Sequence, residues 1–287
     1  MGIVGCRVLP RSTRRFRSTA MVSIGIVGCG AVGRAILRAA DAGLLGGVRV
    51  AGVTSSTRGP AEEFLASLRH RVPFLDTSAL IDASDVVIEA AGGDVVRPLA
   101  SAAFARRKGL MAISIGAFID HPGIVNEARD AGCRLYLPSG AIAGLDGIKS
   151  ASMGRIDRVS MVSRKPPVAW KGAPYLAEHG ISVDGLTHEQ ELFSGPARVA
   201  AKGFPQNLNV SAAVSLAGIG PDATTIRVVA VPGLARNCHD IEVEGEFGLF
   251  RFHVENIPSE NPKTGRLTTL SLLRSVRDLA DPVRIGT

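Results

Sequence analysis

The chain has 287 residues, 46 % hydrophobic and 21 % charged, the balance of a soluble globular enzyme long enough to bury two cores. Its formal charge of +7 resembles a nucleic-acid signal, but five of the 33 basic residues (Arg7, Arg11, Arg14, Arg15 and Arg17) fall in the first 20 positions, which hold no acid. The remaining 28 nearly balance 26 acidic residues, so a basic groove for nucleic acid is excluded, and the longest apolar run, 110–119, is too short to span a bilayer.

Residues 1–20 have the composition of an organellar transit peptide, or of an upstream non-native start with Met21 opening the chain proper. They carry too little apolar surface to order themselves, which predicts a disordered leader. The four cysteines (Cys6, Cys29, Cys133, Cys238) show no CxxC spacing, and the six histidines include no i, i+4 pair around an acid. A reducing, cytoplasmic setting and no metal site are expected.

Residues 22–27 read as a short apolar strand feeding Gly28-x-Gly30-x-x-Gly33 and then an amphipathic helix. Gly28 permits the tight turn, Gly30 lets backbone approach a pyrophosphate, and Gly33 lets helix pack close to strand. Ala31 and Val32 open the helix whose N–H groups would meet the phosphates. Next come a strand at 48–54, a helix at 60–70, a buried strand at 85–90 ending in Gly92-Gly93, and a helix capped by Asp94 and running to Arg107. A strand at 110–115, a helix at 122–132 and a strand at 134–137 complete the series. Apolar runs alternating with helices predict a Rossmann-type, doubly wound parallel sheet over 21–138.

From Ser139 the rhythm becomes period two: 155–163, 225–231, 240–244 and 247–255 alternate, with helical patterns at 196–203 and 208–218 between them. This predicts a second α+β domain at 139–264 carrying an open mixed sheet, one face covered and one exposed. A final amphipathic helix at 267–279, with Leu267, Leu270, Leu273 and Leu279 inward, is expected to return with 265–287 to the nucleotide domain.

Dinucleotide folds place an acid about 20 residues past the glycines to hold a ribose hydroxyl. Here the second strand ends in Thr54-Ser55-Ser56-Thr57-Arg58, and Ser55 with Arg58 would suit a phosphate. NAD or NADP is therefore the expected cofactor. His239 shares a strand face with Ile241 and Val243, which fits a satisfied core histidine or a general acid/base. Cys238 beside it raises a thiol nucleophile, although adjacent strand residues point to opposite faces. Arg164, Lys165 and Lys263 could pair with substrate carboxylates, and Asn207 and Asn209 could hold a carboxamide or cap a helix.

Taken together, the glycine turn, Pro138-Ser139-Gly140-Ala141-Ile142, Leu145-Asp146, Arg164-Lys165-Pro166, Phe204-Pro205-Gln206-Asn207-Leu208-Asn209-Val210, Asn237-Cys238-His239 and Asn261-Pro262-Lys263-Thr264 resemble the L-aspartate dehydrogenase family, in family order from about residue 22 onward. The resemblance implies NAD(P)-dependent oxidative deamination of L-aspartate to iminoaspartate, which hydrolyses to oxaloacetate and ammonia and can feed NAD biosynthesis. It puts the catalytic histidine at His239 and further cofactor contacts at Ala141 and Asn209; a homodimer is the expected assembly. The chain departs from the family's Ala-Asp-Pro at Ala230-Val231-Pro232. A dehydrogenase of another small diacid and a non-catalytic dinucleotide sensor are the competing readings.

Overall fold

The protein, here as a computed structural model, is described over residues 21–205, 209–257 and 265–287. The basic leader, Asn207 and Lys263 lie outside the described residues. In the first half, β1 (Val22–Val27) enters α1 (Ala31–Asp41), followed by β2 (Val48–Thr54), α2 (Arg58–Ala66), α3 (Thr77–Asp82), β3 (Val86–Glu89) and α4 (Gly93–Ala105). Then come β4 (Gly109–Ala112), the short α5 (Ala117–Asp120), α6 (Gly123–Asp130) and β5 (Leu135–Tyr136). The five strands form one parallel sheet in the order β2-β1-β3-β4-β5. Ile24, Val53, Val87, Ile88 and Leu110 are fully buried in it, as a sheet covered on both faces requires. The order reverses between β1 and β3, and such a switch point opens a crevice at the carboxyl ends of the strands.

In the second half α7 (Leu145–Ala151) precedes β6 (Ile156–Lys165), a 3-10 turn (Pro167–Trp170), α8 (Pro174–Glu178) and β7 (Gln190–Pro196). Next are α9 (Ala197–Gly203), α10 (Asn209–Ala217), β8 (Thr225–Ala230), β9 (Asn237–Gly245), β10 (Gly248–Asn256) and α11 (Arg266–Arg277). The second sheet runs β10-β9-β6-β8-β7, parallel only between β6 and β8. One face packs Val159, Met161, Ile226, Val228, Ile241 and Val243 into a core with residues of α7, α9 and α10. The other face bears ion pairs such as Arg158 with Glu244 and Arg236 with Glu255. That division is the physical content of the period-two alternation.

Several boundaries differ from the sequence expectation for identifiable reasons. Helix α2 stops at Ala66 because the Asp41 carboxylate accepts from the backbone N–H of Arg69 (3.1 Å) and His70 (2.9 Å), holding that segment out of helix. Strand β4 ends at Ala112 because the next two N–H groups turn to Glu89. Asp94 sits in the first turn of α4, whose cap is Gly92. In α11 Leu272 and Val276 are buried in the core of α1 and β1, and the expected Leu273 and Leu279 pack against it, half-buried. Leu270 lies about 200° of helix rotation from Leu272 and points to solvent.

Candidate active site

The glycine turn has the shape of a phosphate cradle. Gly28 has φ +107°, and a Cβ there would lie 2.4 Å from the Ala90 carbonyl oxygen, across the switch point. A Cβ on Gly33 would lie 2.0 Å from the Gly28 carbonyl oxygen, so only glycine lets α1 sit this close to the turn. Gly30 faces open space and caps α1 without a side-chain bond. The first N–H groups of α1, beginning at exposed Ala31, are therefore free to meet an anion. These features fit a dinucleotide pyrophosphate.

Glu89, a residue not singled out from sequence, fixes the rest of the crevice. It is fully buried at the end of β3. Its carboxyl oxygens accept from the N–H groups of Ala91 (2.9 Å), Gly92 (2.7 Å), Ile113 (3.2 Å) and Ser114 (3.0 Å) and from the Ser114 hydroxyl (3.1 Å). Two loops at the sheet's carboxyl edge are thus tied to one side chain. Only its strand-end position before Ala-Ala-Gly-Gly could have signalled this, because the partners lie up to 25 residues away.

Beside the crevice a cleft of about 110 Å³ opens between the two halves, with Val32 and Ile113 on one wall and Lys165, Asn209, Asn237 and His239 on the other. His239 pairs across the sheet with Ser163 on β6 and Val254 on β10. It therefore shares the inner face with Ser163, Lys165, Asn237 and Asn256, all at most 4 % exposed. The apolar inner face of the sheet thus turns polar where it meets the nucleotide half. Ser163 Oγ, Asn237 Oδ1 and His239 Nδ1 are buried there with no hydrogen-bond partner among the described residues. Each such atom costs about 1–3 kcal/mol unless something arrives to satisfy it. Burial, reinforced by the nearby Lys165 charge, pushes the His239 imidazole down to about 3, and burial alone pushes the Lys165 ammonium down to about 7. The Lys165 Nζ also lies 5.0 Å from the centre of the Trp170 ring.

Adjacent Arg164 corrects one expectation. It occupies the outer face, ion-paired with Asp240, because neighbouring strand residues alternate; its guanidinium is removed from the cleft and from any substrate role there. Cys238 also faces outward, its Sγ against the Arg236 carbonyl at 3.5 Å, and burial pushes its thiol up. That argues against a nucleophile working with His239. The Asn209 side chain reaches 93 residues back to accept from the Gly116 N–H (3.0 Å), bridging the halves at the cleft. Ala141, also lining the cleft, accepts at its carbonyl from Asn256 Nδ2 (2.6 Å). Val231, where the family pattern is broken, donates its N–H to the Lys165 carbonyl (2.9 Å), so the departure lies beside the buried lysine. Ser55 and Thr57 hydroxyls lie 3.2 Å apart at the end of β2. Arg58 follows them, paired with Glu62 at 3.0 Å and stacked 5.1 Å from the Phe74 ring centre.

Residues 146–279 match the family model of the aspartate dehydrogenase C-terminal domain, and residues 28–138 match that of the homoserine dehydrogenase NAD-binding domain. L-aspartate dehydrogenase 3 of Bordetella bronchiseptica is 42 % identical over 266 residues, covering 93 % of this chain and 98 % of its own length. The L-aspartate dehydrogenase of Methanocella arvoryzae is 43 % identical over 271 residues, covering 93 % and 100 %. The crystal structure of aspartate dehydrogenase from Thermotoga maritima, 23 % identical, shares the fold with a TM-score of 0.68 over 92 % of this chain and 99 % of that one. The glycine cradle and the polar cleft beside it therefore sit in a chain that belongs to the L-aspartate dehydrogenase family, NAD-binding oxidoreductases that act on an amino acid.

Proposed function

We propose that the chain catalyses oxidative deamination of L-aspartate to iminoaspartate, released as oxaloacetate and ammonia, with His239 as the acid/base. The observation that carries this reading is a buried histidine and a buried lysine lining one cleft that reaches Val32, in the first turn of the helix after the glycine turn. Gly28, Gly30, Ala31, Val32 and Gly33 would hold the cofactor at its pyrophosphate, and Ala141 and Asn209 nearer the nicotinamide. Bound there, the nicotinamide supplies the hydride acceptor. Lys165 would pair with a substrate carboxylate and orient Cα, while His239 takes a proton from the amine or from the attacking water. The test is a panel of amino acids with both cofactors, followed by reduced-cofactor consumption with oxaloacetate plus ammonium. L-aspartate is expected to lead in kcat/KM by at least about tenfold, the discrimination a correctly placed polar anchor supplies. Faster turnover of another diacid, or tight cofactor binding with no turnover, would overturn the reading.

NADP belongs to the proposal as well. No carboxylate ends β2, and Arg58 could leave its exposed pairing with Glu62 at a cost of only about 0.5 kcal/mol. A charge-assisted bond to a 2′-phosphate would more than offset that. Arg58→Ala is expected to raise the KM for NADP about tenfold and to leave that for NAD within about twofold. Equal effects on both, measured side by side, would remove Arg58 from the cofactor site.

A further inference from the structure

Five polar side chains crowd the inner face of the second sheet at the cleft, and they are not equivalent. Asn256 is committed to the loop at Ala141 through its Nδ2. Lys165 and His239 already have roles in the reading above. Asn237 does not. It opens β9 two residues before His239, so both side chains leave the same face of one strand. It is 2 % exposed, lines the cleft, and its Oδ1 is buried without a hydrogen-bond partner among the described residues. Across β10 its partner is Asn256, whose Nδ2 is already given to the Ala141 carbonyl, and on the β6 side the register, Arg164 opposite Cys238, brings Lys165 next to it, yet its Oδ1 accepts from neither. A buried amide carbonyl aimed at a cleft calls for an N–H that arrives with the ligand.

We propose that Asn237 binds the reacting nitrogen, its Oδ1 accepting an N–H of the substrate amine in one direction and of ammonia in the other. This rests on the amino-acid dehydrogenase reading and assigns the part of the site that selects nitrogen over oxygen. The balance of the step shows why a neutral acceptor suits the place. One amine proton passes to His239, the C–H electron pair leaves Cα as hydride for the oxidised nicotinamide, and the nitrogen lone pair closes the C=N bond. Water then adds to that carbon and ammonia leaves. Throughout, the nitrogen keeps at least one N–H for Asn237. That hydrogen bond strengthens as positive charge builds on nitrogen during hydride departure, which is where an acceptor accelerates the reaction. An amide oxygen keeps this capacity at every pH, because it does not titrate.

The test runs in the reductive direction, with ammonium and oxaloacetate varied separately and reduced-cofactor affinity read by fluorescence. Asn237→Ala is expected to raise the KM for ammonium about 10- to 100-fold, as loss of one bond to a charged or polarised group does, while oxaloacetate KM and cofactor affinity stay within about twofold. Asn237→Asp, which keeps an acceptor of nearly the same shape, should bring the ammonium KM back to within about tenfold of wild type. It also serves if the alanine variant does not fold. A parallel rise in both KM values would mark a structural role, and a rise confined to oxaloacetate would mean that the amide donates to a carboxylate. Either result overturns the proposal. A wild-type enzyme whose cofactor consumption ignores ammonium overturns the amino-acid reading itself, and is recognised before any variant is made.

Discussion

Replacing His239 with alanine is expected to lower kcat by about 10²- to 10⁴-fold while leaving cofactor affinity near wild type, the range lost with a general acid/base. The residue is buried, and its imidazole is pushed down to about 3 by desolvation and by Lys165. At neutral pH it therefore waits as a neutral ring, able to accept a proton without first losing one. A group so weakly basic would be a poor base in the empty cleft. The substrate's two carboxylates change this, because each favours the imidazolium and raises the pKa. The sign is checkable: the acid limb of kcat, which reports the substrate complex, should lie at higher pH than any histidine limb of kcat/KM, which reports the free enzyme. His239→Gln preserves bulk and hydrogen bonding but takes up no proton, so it should lose turnover like the alanine variant and lose that limb. Turnover near wild type in either variant would refute the assignment.

How much of this site the sequence carried depends on the range of the interaction involved. The β1–turn–α1 unit is local, and Gly28 and Gly33 make the tight turn and the close helix packing that their spacing implied. The face of His239 was also legible, since alternation from Asp240 to Glu244 fixes parity along one strand. The same parity, carried two residues past Ser163, would have separated Lys165 from Arg164. Val159 and Met161 share the lysine's side, and the arginine falls on the charged side with Asp240. Glu89 was not legible because its partners come from two loops brought together by the sheet. The Asn209–Gly116 bridge spans the two halves and leaves no local pattern. Strand β7 escaped notice because it is an edge strand, bulged between Glu191 and Phe193 and ending in Gly-Pro, so its alternation is broken.

Lys165→Met should weaken binding of a C4 dicarboxylate lacking the amine about 30-fold or more at pH 6, the loss expected when one member of a buried charge pair is truncated. Wild-type affinity carries a distinctive pH dependence. The ammonium of the free enzyme titrates at about 7 because it is buried, and only its protonated form pairs with a carboxylate. The wild-type Kd should therefore be level below pH 7 and rise about tenfold per pH unit above it, with one proton taken up on binding at high pH. Calorimetry in buffers of different ionisation enthalpy reads that proton directly. Stability gives an independent check of sign. The folded-state value lies below the unfolded value of about 10.4, so between them the unfolded chain binds the extra proton and wild-type stability rises with pH from 7 toward 10.5. The methionine variant lacks that rise and, freed of a buried amine, should melt no lower than wild type at pH 7. Arg164→Ala, one residue away on the opposite face, should leave the Kd and its pH slope unchanged. A pH slope that persists in Lys165→Met, or an equal loss in Arg164→Ala, would show that the substrate's charge is held elsewhere.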